Sequence, residues 1–435
     1  MSNKEQTMPK LDSLVLMPSY LPAFKCIAGA CEDSCCIDWG IVSVDCITYE
    51  KYQSITDPEI NAILASAMVP VNSRRGVKTF CADIKFVDGS TCPFLAENRL
   101  CTIQRRLGEE YLSYICATFP RVSNIVNGTI EVSATMACPE ACRLALLNPE
   151  GIGFYRREQA DGTRHFVNAV VNTDSELHAN SSNRFFIELR RLAVKILKNR
   201  NYSIDERLII LGLLASQVTE LCRDKLAYEI PELVDRLENQ IVSNQIRKDL
   251  NGGSGDTPRQ LSILLNLLLS TIKKGIRNQR FFECCHEFLF GIDFTANNSP
   301  ERMVNRYQAA YAEYYEPFLR TREYIFENYL VNTVFAYLFP FNYKESFFDT
   351  YVALVLRYAL IKMLLIGMAG YHKGLTEDLV IKLIQSFTKS IEHKKEYLQQ
   401  MCQALHDDHH NTMEYMIIFI RNEQRVQDLL AQRRP

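Results

Sequence analysis

Apolar residues recur at helical spacing along most of the chain after residue 180. The pattern predicts helices at about 183–198, 203–224, 231–248, 259–277, 299–315, 318–338, 345–370, 376–403 and 408–431. Ser203 and Glu206 have the spacing of a capping box at the start of the second of these helices. We therefore expect an all-α domain at residues 181–435.

The first 150 residues show a different pattern, in which short β-branched runs alternate with turn residues. Strands are predicted at 39–46 and 78–86, a turn at Asp88-Gly89, and short apolar runs at 91–95 and 99–103. Helices are predicted at 49–68, briefly at 107–114, and from Cys138-Pro139 onward, with a hairpin at 123–132 around Asn127-Gly128. The fold class predicted is α+β, mainly α, with a small mixed module at 1–150 and a connecting segment at 151–180.

Charge and hydropathy narrow the function classes. The chain has 435 residues, with 49 basic and 51 acidic side chains, so it lacks the basic excess of a nucleic-acid binder. The first residues show no secretory signal, and we expect a cytoplasmic protein. The longest apolar run, 352–370, contains Arg357 and Lys362, which predicts a buried helix and no membrane span.

Cysteine is concentrated near the N-terminus. Eleven of the 15 cysteines lie between Cys26 and Cys142. In a reducing compartment such a framework favours metal binding or catalysis over disulfides, and the odd total fits a disulfide scaffold poorly. Buried thiols are the strongest alternative for Cys46, Cys81, Cys222 and Cys402.

The absence of histidine before His165 limits the type of metal site that the N-terminal module can form. All eight histidines fall at His165 or later, so a site inside the module is expected to use thiolates, with carboxylates as the only other donors considered. Thiolate sites suit zinc or iron–sulfur clusters. Because no C-x2-C pair occurs, the spacing favours an iron–sulfur cluster over zinc, with zinc, buried thiols and disulfides left open. Cys284-Cys285-His286 is interpreted as core packing and His406–His410 as a solvated loop.

Several motifs resemble known proteins. Those resembling the N-terminus of bacterial flagellin lysine N-methylases are Pro18-Ser-Tyr20, Phe24-Lys-Cys26, Cys31-Glu-Asp-Ser-Cys35-Cys36-Ile-Asp-Trp39, Asp45 and Thr48-Tyr49-Glu-Lys-Tyr52. Those similar to the cysteine-rich zinc- or iron-chelating family that contains this module are Cys92-Pro-Phe-Leu95, Cys101-Thr-Ile103, Cys116-Ala-Thr-Phe-Pro120 and Ala137-Cys138-Pro139. Glu327-Asn-Tyr-Leu-Val-Asn332 with Phe339-Pro-Phe341 resembles the methylase family specifically.

The resemblance implies methyl transfer from S-adenosylmethionine to lysine ε-amines of flagellin, with a [4Fe-4S] cluster held by cysteines. The ligands it implies are Cys31, Cys35, Cys36, Cys92, Cys101, Cys116 and Cys138, of which one cubane needs at most four. The cluster is expected either to stabilise the fold or to chelate the cofactor as in radical enzymes, although their C-x3-C-x2-C signature is absent.

Lysine methylation also requires a way to deprotonate the target, because an ammonium has no lone pair. The resemblance and the chemistry together make Glu327, Tyr329 and Asn332 the candidate catalytic residues, with packing and capping as the alternative role for their motif. No nucleotide-binding glycine fingerprint is present, so the S-adenosylmethionine site is not located. The alternative function is a zinc- or iron-binding protein without enzymatic activity that binds flagellin or carries metal.

Overall fold

The computed structural model describes residues 14–75, 78–158, 163–250, 255–295, 298–341 and 346–422, apart from the side chains of 73–79 and 395. The chain divides into two compact units. The first comprises the residues up to Ala145 together with Ile152–Thr173, and the second comprises Leu146–Gly151 and the residues from Asp174. Parts of the predicted linker at 251–258 and of the predicted helix at 408–431 lie outside the described residues.

The first unit contains two sheets. Its strands are β1 (Leu14–Pro18), β2 (Ile41–Asp45), β3 (Met68–Arg75), β4 (Lys78–Lys85), β5 (Arg121–Val126), β6 (Thr129–Ala134), β7 (Phe154–Glu158) and β8 (Val167–Val171). The order is β7-β1-β6-β5-β8 in the larger sheet and β2-β4-β3 in the smaller. Strands β7 and β8 lie within the segment predicted as a connection, so that segment contributes two strands to the first unit.

The hairpin and turn predictions are confirmed in this unit. Strands β5 and β6 pair antiparallel from Arg121↔Ala134 to Val126↔Thr129. The residues between them, Asn127 and Gly128, have φ of 47° and 84°, the left-handed conformation of a type I′ turn. Asp88 and Gly89 also have positive φ, 51° and 67°.

Helices of the first unit are short. They are α1 (Cys46–Gln53), α2 (Pro58–Ala67), α3 (Thr102–Leu107), α4 (Tyr114–Thr118) and α5 (Pro139–Leu146). The single helix predicted at 49–68 is wrong, because Pro58 starts a new helix and the Asp57 carboxylate caps it by accepting from the backbone N–H groups of Glu59 and Ile60. The short helix predicted at 107–114 is also displaced. Residues 102–107, predicted in part as a strand, are helical, and Cys116 lies within α4.

Among its described residues the second unit forms helices and no strand, as predicted. Its helices are α6 (Phe186–Leu197), α7 (Ile204–Arg223), α8 (Ile230–Val242), α9 (Arg247–Leu250), α10 (Thr257–Ile272), α11 (Gln279–Gly291), α12 (Pro300–Ala310), α13 (Glu316–Leu319), α14 (Tyr324–Ala336), α15 (Phe347–His372), α16 (Glu377–Phe387), α17 (Lys395–Asp407) and α18 (Met413–Ile420). Helix α7 starts with the predicted capping box: Ser203 Oγ accepts from Glu206 N at 3.3 Å, and Ser203 N donates to Glu206 Oε2 at 2.8 Å.

Four predicted helices are interrupted or altered, among them the one at 318–338, which breaks between α13 and α14. The helix at 231–248 breaks between α8 and α9, where Asn244 has a φ of 57°. Wider π-helical turns at Tyr311–Tyr315 and Thr388–Glu392 follow α12 and α16. Such turns are rare and frequently occur at functional sites.

Helix α15 forms the core of the second unit. It is the one helix among the described residues that is long and apolar enough to cross a membrane, and 89% of its most apolar stretch is buried inside the protein. This burial is typical of a core helix, as the sequence predicts. Cys284 and Cys285 of α11 are also buried, at 0% and 3% exposure, in agreement with the prediction of core packing.

Candidate metal centre and buried polar network

The seven predicted metal ligands lie at turns and helix starts of the first unit. Cys31 follows a short 3-10 turn, Cys101 is the N-cap residue of α3, and Cys138 directly precedes α5. Cys36 and Cys92 are joined through the backbone, since Cys92 N donates to Cys36 O at 2.8 Å. Three of the seven, Cys36, Cys92 and Cys101, belong to or pack against the apolar core built on β2 and β4.

Cys35 links most of these thiols electrostatically. Burial is the first cause of the raised pKa of Cys31, Cys101, Cys116 and Cys138, and the nearby Cys35 raises each of these pKa values further. The pKa of Cys116 and that of Cys138 are raised to about 12. Cys116 is exposed as a whole residue. Its pKa is raised all the same, because protein atoms and neighbouring thiols surround its sulfur. At neutral pH these groups are therefore protonated when no metal is bound.

Cys36 connects Cys92 to the other predicted metal ligands. A hydrogen bond with Cys35 lowers the pKa of Cys36, but the hydrogen bond with Cys92, burial and the nearby charges of Cys92 and Cys101 together leave it raised. All seven predicted ligands therefore interact with at least one other member.

The donor chemistry of this set fits thiolate-bound metal. Thiolates are the ligands of iron–sulfur clusters and of many structural zinc sites, and binding would release the protons that the raised pKa values retain. The residues described by the structure contain no group of three or more His, Cys, Asp or Glu that could hold a single ion as they stand.

His165 corrects the expectation of a module without histidine. It lies in the first unit, and its Nδ1 is 3.1 Å from Ser123 Oγ on β5. Its Nε2 is buried without a hydrogen-bond partner. The sequence prediction failed because 151–180 was expected to lie outside the module.

Cys46 and Cys81 form a disulfide, which corrects their interpretation as buried thiols. Their Cα atoms are 4.9 Å apart, within the range that a disulfide spans. The pairing of β2 with β4 places Asp45 opposite Phe80 and so brings the neighbouring cysteines together. Sequence separation of 35 residues gave no sign of this proximity.

Other residues of the N-terminal motifs support the cysteine segments. Asp45 is buried and caps α1 by accepting from Thr48 N at 3.0 Å. Its second oxygen accepts from Tyr114 N at 2.9 Å, at the start of the helix that carries Cys116. Tyr52 is buried beside Cys116 and Cys101, and its pKa is raised first by burial and then by these thiols. This part of the motif positions the cysteines.

Glu327 of α14 lies in an ionic network in the second unit. Its side chain is buried and accepts two hydrogen bonds from Arg200, both at 2.9 Å. Arg207 Nη1 donates to the same carboxylate at 2.9 Å, and the Arg207 side chain is only 2% exposed. Arg207 also donates to the backbone carbonyls of Leu197 and Tyr202. Glu327 thus joins α14 to α7 and the segment before it.

Tyr329 has a different partner. Its hydroxyl donates a short hydrogen bond to Glu392 Oε1, at the end of the π-helical turn Thr388–Glu392. Arg357 Nε of α15 is 3.4 Å from the same oxygen. Burial and then the Glu392 charge raise the pKa of Tyr329 well above its ordinary value, so the phenol is protonated and the carboxylate is the acceptor.

The asparagines of the motif are buried as well. Asn328 Nδ2 donates to the carbonyls of Leu146 and Asn148, at 3.2 and 2.9 Å. Asn332 is 3% exposed. The three predicted catalytic residues therefore share one buried helix, while Glu327 and Tyr329 bind different partners.

Sequence reasoning missed the partners of these residues. Arg207, Arg357 and Glu392 come from α7, α15 and the turn after α16, far from Tyr329 in sequence. Charged residues inside apolar helical patterns were the available signal, and Arg357 was noted only as evidence against a membrane span. Glu392 lies outside such a run and gave no signal.

Comparison with known proteins covers both units. Residues 190–419, more than half of the chain, match the family described as the FliB lysine N-methylase C-terminal domain. Lysine-N-methylases of Salmonella choleraesuis and Salmonella typhimurium are 22% and 21% identical to the chain over 390 residues, which are 88% of this chain and 92% of each relative. The flagellar biosynthetic protein FliU of Salmonella muenchen is 30% identical over 154 residues, 35% of this chain and 88% of that protein. No solved structure gives a significant match.

A cysteine-rich mixed unit followed by a helical unit, with these relatives, defines the class as protein lysine methyltransferases. Within that class, the chain belongs to the FliB lysine N-methylase family.

Proposed function

We propose that this enzyme transfers methyl groups from S-adenosylmethionine to lysine ε-amines of flagellin in the cytoplasm. The observation that carries the proposal is the family match over the helical unit, together with the Salmonella lysine-N-methylases that align with 88% of the chain. The flagellar name of the FliU relative supports flagellin as the substrate. The small net charge of -2 gives no support to nucleic acid as a partner.

The reaction sets one requirement for the protein. The neutral lysine nitrogen attacks the methyl carbon, the bond from that carbon to sulfur breaks, and the sulfonium becomes the neutral thioether of S-adenosylhomocysteine. The nitrogen loses one proton to an acceptor for each methyl group added. Glu392 is the proposed proton acceptor, because it is a buried carboxylate, and Tyr329 orients it by donating a hydrogen bond from its phenol. Glu327 holds α14 in place through Arg200 and Arg207, and we assign a positioning role to it and to Asn332, which is buried on the same helix.

We further propose that the first unit binds a [4Fe-4S] cluster, with zinc as the alternative metal. Cys35 and three of Cys31, Cys101, Cys116 and Cys138 are the proposed ligands, because Cys35 interacts with each of the other four. Cys36 and Cys92 form a neighbouring hydrogen-bonded pair. When bound, the cluster supplies redox-active, Lewis-acidic iron and joins separate loops of the unit.

The test uses full-length protein purified without oxygen. We expect the protein to contain iron and sulfide and to absorb at about 400 nm. The mass of flagellin lysines should increase only when S-adenosylmethionine is present. Cys35→Ser should lose the absorption band. Cys222→Ser should retain it, because Cys222 is a free thiol on α7 in the second unit.

Two results would contradict the proposal. If the protein is colourless, contains zinc and methylates flagellin, the proposed iron–sulfur cluster is rejected but the proposed methyl transfer is not. Flagellin binding that is independent of S-adenosylmethionine, with no mass increase, would support the non-enzymatic alternative.

A further inference from the structure

The buried π-helical turn Thr388–Glu392 contains polar groups that the fold leaves without partners. Every residue from 383 to 392 is buried. Thr388 is 0% exposed, and its hydroxyl has no hydrogen-bond partner. A buried hydroxyl without a partner is energetically unfavourable, because it has lost its hydrogen bonds to water. This cost requires an explanation, and an absent ligand is one.

Two further groups converge on the same place. His393 N donates to Thr388 O at 3.0 Å across the turn, and this wide i to i+5 geometry puts Thr388 and Glu392 next to each other along the helix axis. Arg357 Nε, 3.4 Å from Glu392 Oε1, has no hydrogen-bond partner and is buried. Tyr329 completes the group through its hydrogen bond to Glu392.

The group lies close to the protein surface. The Arg357 side chain is 17% exposed, and its guanidinium lies 6.0 Å from the ring of Tyr337, a residue that is 37% exposed. His393 and Lys394, directly after Glu392, are exposed. Along with these two residues, Arg357 and Tyr337 are therefore the residues of this region nearest to solvent, whereas Thr388 and Glu392 lie behind them.

We propose that Thr388, Glu392, Tyr329 and Arg357 form the pocket that receives the ε-amine of the target lysine. This inference rests on the proposed function and specifies where its substrate binds. The Tyr337 ring packs against the methylene stem. The hydroxyl of Thr388 accepts a hydrogen bond from the amine, and Glu392 takes the proton that the amine releases. The guanidinium of Arg357 disfavours a second positive charge nearby, which favours the neutral, nucleophilic amine.

The chain provides matched controls on the same segment. Ser386 is also fully buried, but its hydroxyl already donates to Lys382 O at 2.7 Å. Ser390 is buried with an unpartnered hydroxyl, like Thr388, but lies about half a π-helical turn away from it. Thr388→Val keeps the shape of the side chain and removes only the hydroxyl.

The experiment measures binding and turnover separately. For Thr388→Val we expect about a tenfold rise in both the Kd for purified flagellin, measured with S-adenosylhomocysteine present, and the KM for flagellin. The Kd for S-adenosylmethionine should not change. Thr388→Ser should restore flagellin binding, and Ser386→Ala and Ser390→Ala should behave as wild type.

Each contrary outcome has a defined meaning. Unchanged flagellin Kd and KM in Thr388→Val would overturn the pocket, as would equal losses in Ser390→Ala. Weaker S-adenosylmethionine binding with unchanged flagellin binding would place the cofactor there and also overturn it. If wild-type protein transfers no methyl group to flagellin, the proposed function itself fails, and the pocket with it.

Discussion

At the scale of single residues, Glu327 shows how the interior of the second unit tolerates charge. Its carboxylate is 2% exposed and is held by two guanidinium groups, one of them on the equally buried Arg207. Such a pair contributes little net stability compared with apolar residues, but losing one partner leaves an uncompensated buried charge.

We predict that Glu327→Gln destabilises the protein by about 3 kcal/mol, because the buried Arg207 would lose the closer of its two carboxylate partners and keep only Glu323, 3.5 Å away. Arg200→Met is the comparison, since the Arg200 side chain is 49% exposed. It should cost under about 1 kcal/mol. Urea unfolding measures both. Wild-type stability in Glu327→Gln combined with lost methyl transfer would instead assign the carboxylate a direct catalytic role.

His165 predicts a pH dependence of stability in the first unit. Burial, and then the charge of Arg121, lower the pKa of His165 below its ordinary value of 6.5. Below pH 6.5 the unfolded chain therefore binds a proton that the folded protein resists, so the free energy of unfolding falls as the pH decreases.

For His165→Gln we expect a smaller loss of stability between pH 7 and pH 5 than for wild type. Urea unfolding curves at both pH values give the comparison. Equal losses in the two proteins would show that His165 remains protonatable in the folded state.

At the scale of elements, the close crossing of α11 and α15 depends on glycine. A Cβ added to Gly291 would lie 1.8 Å from the carbonyl oxygen of Gly367, and one added to Gly367 would lie 2.3 Å from Phe288 Cδ2. The first contact involves backbone, which cannot rotate away. The two helices can relieve it only by moving apart, which would disrupt the packing of a core helix.

We predict that Gly291→Ala costs about 3 kcal/mol or more, at the upper end of overpacking effects, because the helices must separate. Gly153→Ala is the control, since its nearest contact would be an ordinary 3.8 Å from Ser19. Thermal unfolding followed by circular dichroism compares them. A melting temperature for Gly291→Ala equal to that of the control would contradict the crossing geometry.

At the scale of the whole molecule, the seven predicted metal ligands lie in the first compact unit and the motif of Glu327–Asn332 lies in the second. The proposed cluster would join cysteines from separate turns and helix starts of the first unit and would so add to its folding free energy. The second unit has a continuous apolar core around α15.

We therefore predict that removing the metal lowers the temperature of the unfolding transition in calorimetry by several degrees. The measurement compares anaerobically purified protein with chelator-treated protein and with Cys35→Ser. Chelator treatment should not further destabilise Cys35→Ser. Identical transitions in metal-loaded and metal-free wild type would rule out a structural contribution from the metal.

Local patterns were enough to predict the division into cysteine-rich and helical regions, the Asn127-Gly128 hairpin, the capping box at Ser203 and the core position of α15. These features depend on local backbone chemistry and on apolar periodicity, both of which are encoded over a few neighbouring residues.

Which distant residues contact one another could be seen only once the elements were packed. The Cys46–Cys81 disulfide depends on strand pairing, and the links among Cys35, Cys116 and Cys138 depend on loop closure. The approach of Glu392 to Tyr329 depends on how α14 packs with the turn after α16. Such contacts follow from packing between elements far apart in sequence, which periodicity and motif spacing do not encode.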